Sequence, residues 1–256
     1  MKLNLALHGQ PGEAPPLVIA HGLFGSARNW GAVAKRLCAG RLVVAADLRN
    51  HGESGWDDEH GYAAMAGDIA EVIAGHGGRA DVLGHSMGGK TAMVLALSEP
   101  ARVRRLVVAD IAPIAYGHSQ MPLVKAMREA DLAGVTRRSQ ADARLAERVP
   151  ERGERAFLLQ SLALGEDGAR WKLNLAALGA NMEAIMGFPP LEGRFEGPVL
   201  VLRGAASDYV DAAGVAAIRA RFPQARIEAL AGAGHWLHAD QPEAFADAVD
   251  GFLRAG

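Results

Sequence analysis

The chain has 256 residues, enough for one large α/β domain or for a core domain carrying an insertion. Half the residues are hydrophobic and the formal net charge is −2, which argues against a nucleic-acid partner, since such proteins carry a basic excess. The single cysteine cannot form an internal disulfide and no apolar run is long enough to span a bilayer, so a cytoplasmic protein that does not bind membranes is the default expectation. The opening MKLNLALHGQ has no signal-peptide core and reads as a first strand. PLVIAHG (16–22) is a short buried strand, and a helical stretch follows near 30–37. Cys38, at the end of that stretch, reads as a buried packing residue. RLVVAAD (41–47) is a third strand, and RNHGESG after it is a polar turn in which His51 serves the turn. Met65, Ile69, Val72 and Ile73 mark one face of a helix. ADVLG leads into a sharp turn and a helix that stops at Glu99-Pro100, and RLVVAD (105–110) is the next strand.

The rhythm then changes. From 115 to 190 the pattern is helical with no convincing strand, and Pro189-Pro190 closes it. PVLVLRG (198–204), a helix near 214–221, the strand RIEAL and a last helix opening at Pro242 complete the chain, with Phe245, Val249 and Phe252 on one face of that helix. The expectation is a mostly parallel sheet with helices on both faces. Its core spans 1–114 and 191–256, and a helical segment, 115–190, is inserted after the sixth strand. Abundant arginine and alanine point to a GC-rich bacterial genome.

VLGHSMGGKTAM (82–93) carries two motifs at once. Gly84 to Gly88 fits G-x-S-x-G, the strand-to-helix elbow of a serine hydrolase, while Gly84 to Thr91 fits G-x-x-x-x-G-K-[ST], a phosphate loop. A phosphate loop follows the first strand of its fold, and this turn follows about the fourth. The elbow reading explains more residues. Gly84 and Gly88 let strand and helix pass closely, Ser86 exposes its hydroxyl, and the N–H of Met87 points at a developing oxyanion. Lys90 and Thr91 then become ordinary first-turn helix residues. A serine needs a base. His235 in GAGHWLH lies after the last strand in a glycine-rich loop and supplies one, with His238 the weaker candidate. The second oxyanion donor is the N–H of Leu23, after the strand that ends at His21-Gly22.

AHGLFGSARNW, DLRNHGESG, GHSMGGKTAM, DIAP and AGAGHWLHAD together resemble the α/β-hydrolase superfamily, and more narrowly the small bacterial YbfF-type esterases and their mitochondrial relatives. The resemblance runs end to end and is weakest in the insertion. It implies a helical cap over the site, hydrolysis of carboxylic esters or thioesters, and no metal or cofactor. It also implies Ser86 as nucleophile, His235 as base, and Leu23 and Met87 as oxyanion donors. The superfamily's usual acid falls near Asp208. The YbfF-type branch implies the DIAP aspartate, Asp110, and this chain has both, with Asp110 preferred.

The segment 115–190 holds ten Lys/Arg and nine Asp/Glu, which argues against steering of a strongly anionic ligand. Arg137-Arg138 reads as a solvated helix end. Met121, Met127, Leu158, Leu159, Leu162, Trp171, Met182, Ile185 and Met186 could furnish an apolar pocket, though most serve the cap's own packing. Phe24 and Trp236 are the better candidates for substrate contact. The expected ligand is a small uncharged acyl ester or thioester, and the oligomeric state stays open. The alternatives are another activity of the same serine (an amidase, perhydrolase or C–C hydrolase), then a nucleotide hydrolase.

Overall fold

A computed structural model describes residues 1–166 and 168–255. The strands are β1 (Leu5–His8), β2 (Leu17–Ala20), β3 (Val43–Ala46), β4 (Ala80–His85), β5 (Val103–Ala109), β6 (Leu162–Gly165), β7 (Gly168–Trp171), β8 (Val199–Gly204) and β9 (Ala225–Leu230). Seven of them form the main sheet in the order β1-β3-β2-β4-β5-β8-β9, parallel throughout except for β1 against β3. The helices are α1 (Gly31–Leu37), α2 (Tyr62–Ala74), α3 (Met87–Ser98), α4 (Met121–Glu129), α5 (Arg138–Leu145), α6 (Arg152–Leu158), α7 (Leu175–Ala180), α8 (Met182–Met186), α9 (Ala212–Arg221), α10 (Leu237–Asp240) and α11 (Pro242–Arg254).

The central strands are uniformly apolar because both faces are covered. Along β2, Val18 and Ala20 join a cluster that includes α2 and α3, while Leu17 and Ile19 join one built on α1 and α11. The same alternation runs through β3, β5 and β8. Each fully buried Val, Leu or Ile contributes about 1.5–3 kcal/mol of transfer free energy, so the sheet is a rigid platform for its loops. From β2 the chain passes to β3 on one side and then crosses back to β4 on the other side of β2, which opens a crevice at the carboxyl edge of the strands.

Three expectations are corrected. Five strands, not six, precede the 115–190 segment. That segment contains β6 and β7, which pair antiparallel with Leu162 opposite Trp171. Each has only four residues, too short for an alternation to register, and their stability comes from each other and from the Trp171 Nε1–H donated to Met127 O. Cys38 is half-buried rather than core, because α1 ends at Leu37 and Leu37 takes the buried position. Among the described residues no helix is long and apolar enough to cross a membrane.

Candidate active site

β4 runs to His85 and α3 begins at Met87, so Ser86 alone makes the turn, with φ 51° and ψ −119°. A non-glycine residue held there stores strain of about 1–3 kcal/mol. The flanking glycines are obligatory. A Cβ on Gly84 would stand 2.2 Å from Gly88 O, and one on Gly88 would stand 2.3 Å from Ala20 O. The same geometry removes the phosphate-loop reading. Residues 84–89 are strand end and helix start, with no loop whose N–H groups could wrap a phosphate.

His235 lies between β9 and α10. Its Nε2 is 3.1 Å from Ser86 Oγ and its Nδ1 is 2.8 Å from Asp110 Oδ2. Asp110 follows β5 at φ 50° and is fully buried. Its Oδ1 accepts from Gly204 N at 2.9 Å, and its Oδ2 also accepts from the Ser207 hydroxyl. Asp208 is exposed. Its neighbours do the work of that loop, Ser207 at Asp110 and Tyr209 stacked on His235 at 3.8 Å between ring centroids.

The loop after β2 is clamped from three directions. A Cβ on Gly22 would meet His85 Nδ1 at 2.8 Å, so only glycine fits against the elbow. Phe24 sits at φ 64°, donates its N–H to His51 Nε2 at 3.2 Å, and accepts from Ser161 Oγ at 2.6 Å. Because His51 Nε2 accepts, its Nδ1–H donates, to Arg49 O at 2.9 Å, and burial holds the ring neutral by pushing its pKa well below the usual value. His51 therefore supports the Phe24 turn as well as its own. His85, the variable residue of the elbow motif, donates Nε2–H to His235 O at 2.8 Å and ties β4 to the loop that carries His235. Burial lowers its pKa too. His238 stacks on Trp30 at 4.2 Å, away from Ser86.

Ser86 and His235 border a cavity of about 190 Å³ whose walls include Leu23, Phe24, Met87 and Trp236. Of the nine apolar candidates in 115–190, Ile185 and Met186 reach it, while Leu123 and Phe157, which the sequence did not single out, also line it. Arg138 donates to Leu159 O and Leu162 O within its own segment and does not border the cavity.

Lys90 contradicts its reading as an ordinary helix residue. It is 1% exposed, and its Nζ donates to Met186 O at 2.9 Å and Gly187 O at 2.5 Å. Burial pushes its pKa down to about 7. One signal was available. Lys90 stands four residues after Ser86, one helical turn, so both lie on the cavity face of α3. Among the described residues no cluster of His, Cys, Asp and Glu is arranged to hold a metal ion.

The model of the alpha/beta hydrolase family matches residues 17–248. The chain is 42% identical over 250 residues to the sn-1-specific diacylglycerol lipase ABHD11 of Mus musculus, covering 93% of this chain and 81% of that protein. It is 35% identical over 260 residues to esterase YbfF of Escherichia coli (strain K12), covering 99% of each. Among solved structures, a marine microorganism esterase matches with a TM-score of 0.93 at 35% identity, over 98% of this chain and 99% of that one. The chain is an enzyme, and it belongs to the α/β-hydrolase family.

Proposed function

We propose that this enzyme hydrolyses carboxylic esters or acyl thioesters through an acyl-enzyme on Ser86. The observation that carries the reading is the unbroken chain Ser86 Oγ, His235, Asp110, at 3.1 and 2.8 Å, beside a mainly apolar cavity. Asp110 keeps His235 in the tautomer with its proton on Nδ1, leaving Nε2 to take the Ser86 proton as Oγ attacks the acyl carbon. The carbonyl oxygen becomes an oxyanion. Met87 is the first residue of α3, and its N–H is one of those a helix cannot use internally. That N–H and the Leu23 N–H stabilise the oxyanion. His235 then gives its proton to the leaving alcohol or thiol. Water, activated by the same Nε2, attacks the acyl-enzyme and returns Ser86.

The 115–190 segment acts as the cap. Leu123, Phe157, Ile185 and Met186 favour an uncharged acyl chain, with Phe24 and Trp236 against it. The similarity to an esterase and a diacylglycerol lipase points the same way. A fluorophosphonate probe should label Ser86 in the wild type and nothing in Ser86→Ala. p-Nitrophenyl esters and acyl thioesters of graded length should be turned over by the wild type, with Ser86→Ala and His235→Ala each losing most of that rate. The double variant should be little worse, because the two groups act as a unit. Turnover that survives Ser86→Ala ends the reading.

A further inference from the structure

Lys90 is a buried amine that the hydrolytic chemistry does not use. No carboxylate lies within salt-bridge distance of it among the described residues. Burying an ammonium without a counter-ion is costly, so the residue needs a reason to be there. Lys90 borders the cavity but is 1% exposed, so little of its surface is open to a bound ligand. The ammonium is engaged by Met186 O and Gly187 O.

Those carbonyls belong to the end of α8, and a helix leaves its last carbonyls without internal partners. α8 has only five residues and cannot hold itself in place. Its end is held from outside. Tyr62 Oη, at the start of α2, donates to Ile185 O at 2.6 Å. Tyr116 N donates to Met186 O at 3.0 Å. The Lys90 ammonium also lies 4.7 Å above the Tyr116 ring, a favourable cation–π distance. A cation at a helix C-terminus is favoured by the helix dipole as well. The two residues so held, Ile185 and Met186, are cavity wall. Lys90 itself projects from α3, the helix whose N-terminus begins at the Ser86 elbow.

We propose that Lys90 is a positioning residue for substrate selection, fastening the end of α8 to the nucleophile helix so that Ile185 and Met186 stand at a fixed depth against the acyl chain. The proposal rests on the hydrolase reading for its substrate, and on the hydrogen bonds alone for the fastening.

The test uses Lys90→Met, which keeps the stem and removes the donors, and Tyr62→Phe, which removes one neighbouring hydrogen bond with little change of shape. Lys90→Arg serves as the conservative rescue. Each full-length variant is assayed with p-nitrophenyl acetate, butyrate, hexanoate and hemisuccinate, and amide hydrogen exchange is followed over residues 182–190 without substrate. The expected result is at least tenfold faster exchange in that stretch for Lys90→Met, with a smaller rise for Tyr62→Phe. KM should rise at least fivefold for hexanoate against less than twofold for acetate, with kcat changing less than KM. Lys90→Arg should recover part of both. An unchanged exchange rate overturns the fastening whether or not any ester is hydrolysed, which separates it from failure of the hydrolase reading. Three other outcomes also overturn the proposal. One is faster exchange with an unchanged chain-length profile. Another is an equal loss of kcat for every ester, which would put Lys90 at the reacting atoms. The third is a loss confined to hemisuccinate, which would make Lys90 a counter-charge for an anionic acyl group.

Discussion

Replacing Asp110 by asparagine tests the candidate site at its most constrained point. Asparagine has nearly the same shape and, like aspartate, tolerates the positive φ of 50° found there, so the backbone has no reason to move. The change lies in the hydrogen bonds. Oδ1 receives the backbone N–H of Gly204, a donor that cannot turn away. The amide oxygen of the variant must stay on that side, or two donors would face each other in a fully buried site. The NH₂ group therefore takes the place of Oδ2, which now accepts from Ser207 and from His235 Nδ1. Ser207 can rotate its hydroxyl and become the acceptor. His235 can accept only by moving its proton to Nε2, where it points at Ser86 Oγ and the ring can no longer serve as base. This wrong-tautomer change costs about 10⁴-fold in turnover in a serine protease triad, or about 5.4 kcal/mol of barrier, and a loss of that order is expected here. The assay is p-nitrophenyl butyrate hydrolysis, with the rate of fluorophosphonate labelling as a second measure and thermal unfolding to show that the fold persists. Asp208→Asn, at an exposed carboxylate, should lose less than about threefold, in line with the small effects of surface changes. A loss below tenfold in Asp110→Asn, or an equal loss in Asp208→Asn, would refute the tautomer argument.

Two further predictions concern stability. Gly88→Ala places a Cβ 2.3 Å from Ala20 O and 2.5 Å from His21 O, backbone atoms at the end of β2 and just after it. The helix must lift, at a cost of about 1–3 kcal/mol or more, read as a lower urea midpoint together with slower fluorophosphonate labelling. Acid should destabilise the fold through its buried histidines. Burial lowers His60 and His238 from 6.5 to about 4, and His21, His51 and His85 shift in the same direction. The unfolded chain therefore binds more protons than the folded one below pH 6.5. The stability is whole above that pH and is lost as pH falls toward about 4, so the melting temperature should drop steadily across that window and a flat profile would contradict it.

Much of the fold is legible in the chain because parallel strands covered on both faces must be short, continuous apolar runs, as LVIA and VVAA are. The elbow is legible for a similar reason, since the close approach at Gly84 and Gly88 admits no side chain. What depends on pairing between distant segments was not. β6 and β7 are four residues each and pair as strands with one another, held further by Trp171 to Met127 O, 44 positions away. His85 looks like a filler in G-x-S-x-G until its ring is found against the carbonyl of His235, 150 positions away. Lys90 reads as an ordinary first-turn helix residue, because a charged side chain is almost never fully buried unless partnered. Its partners are main-chain carbonyls, which leave no mark in a sequence.

The choice between Asp110 and Asp208 shows the same limit at the level of topology. β5 and β8 are adjacent parallel strands, with Leu106 beside Val199 and Ala109 beside Leu202, so the loops that follow them emerge side by side. Either loop could bring a carboxylate to His235, and spacing along the chain cannot decide between them. Orientation favours Asp110 as the acid of the proposed triad. With the carboxylate after β5, the loop after β8 faces it and turns donors toward it, namely Gly204 N and the Ser207 hydroxyl, while Tyr209 covers the face of His235. A carboxylate on Asp208 competing for the same imidazole would stand close to the fully buried Asp110, and two like charges so placed raise the cost of ionising either. The exposed position of Asp208 avoids that conflict. The loop after β8 thus supports Asp110, the acid of the proposed triad, and the second aspartate is tolerated because it turns away.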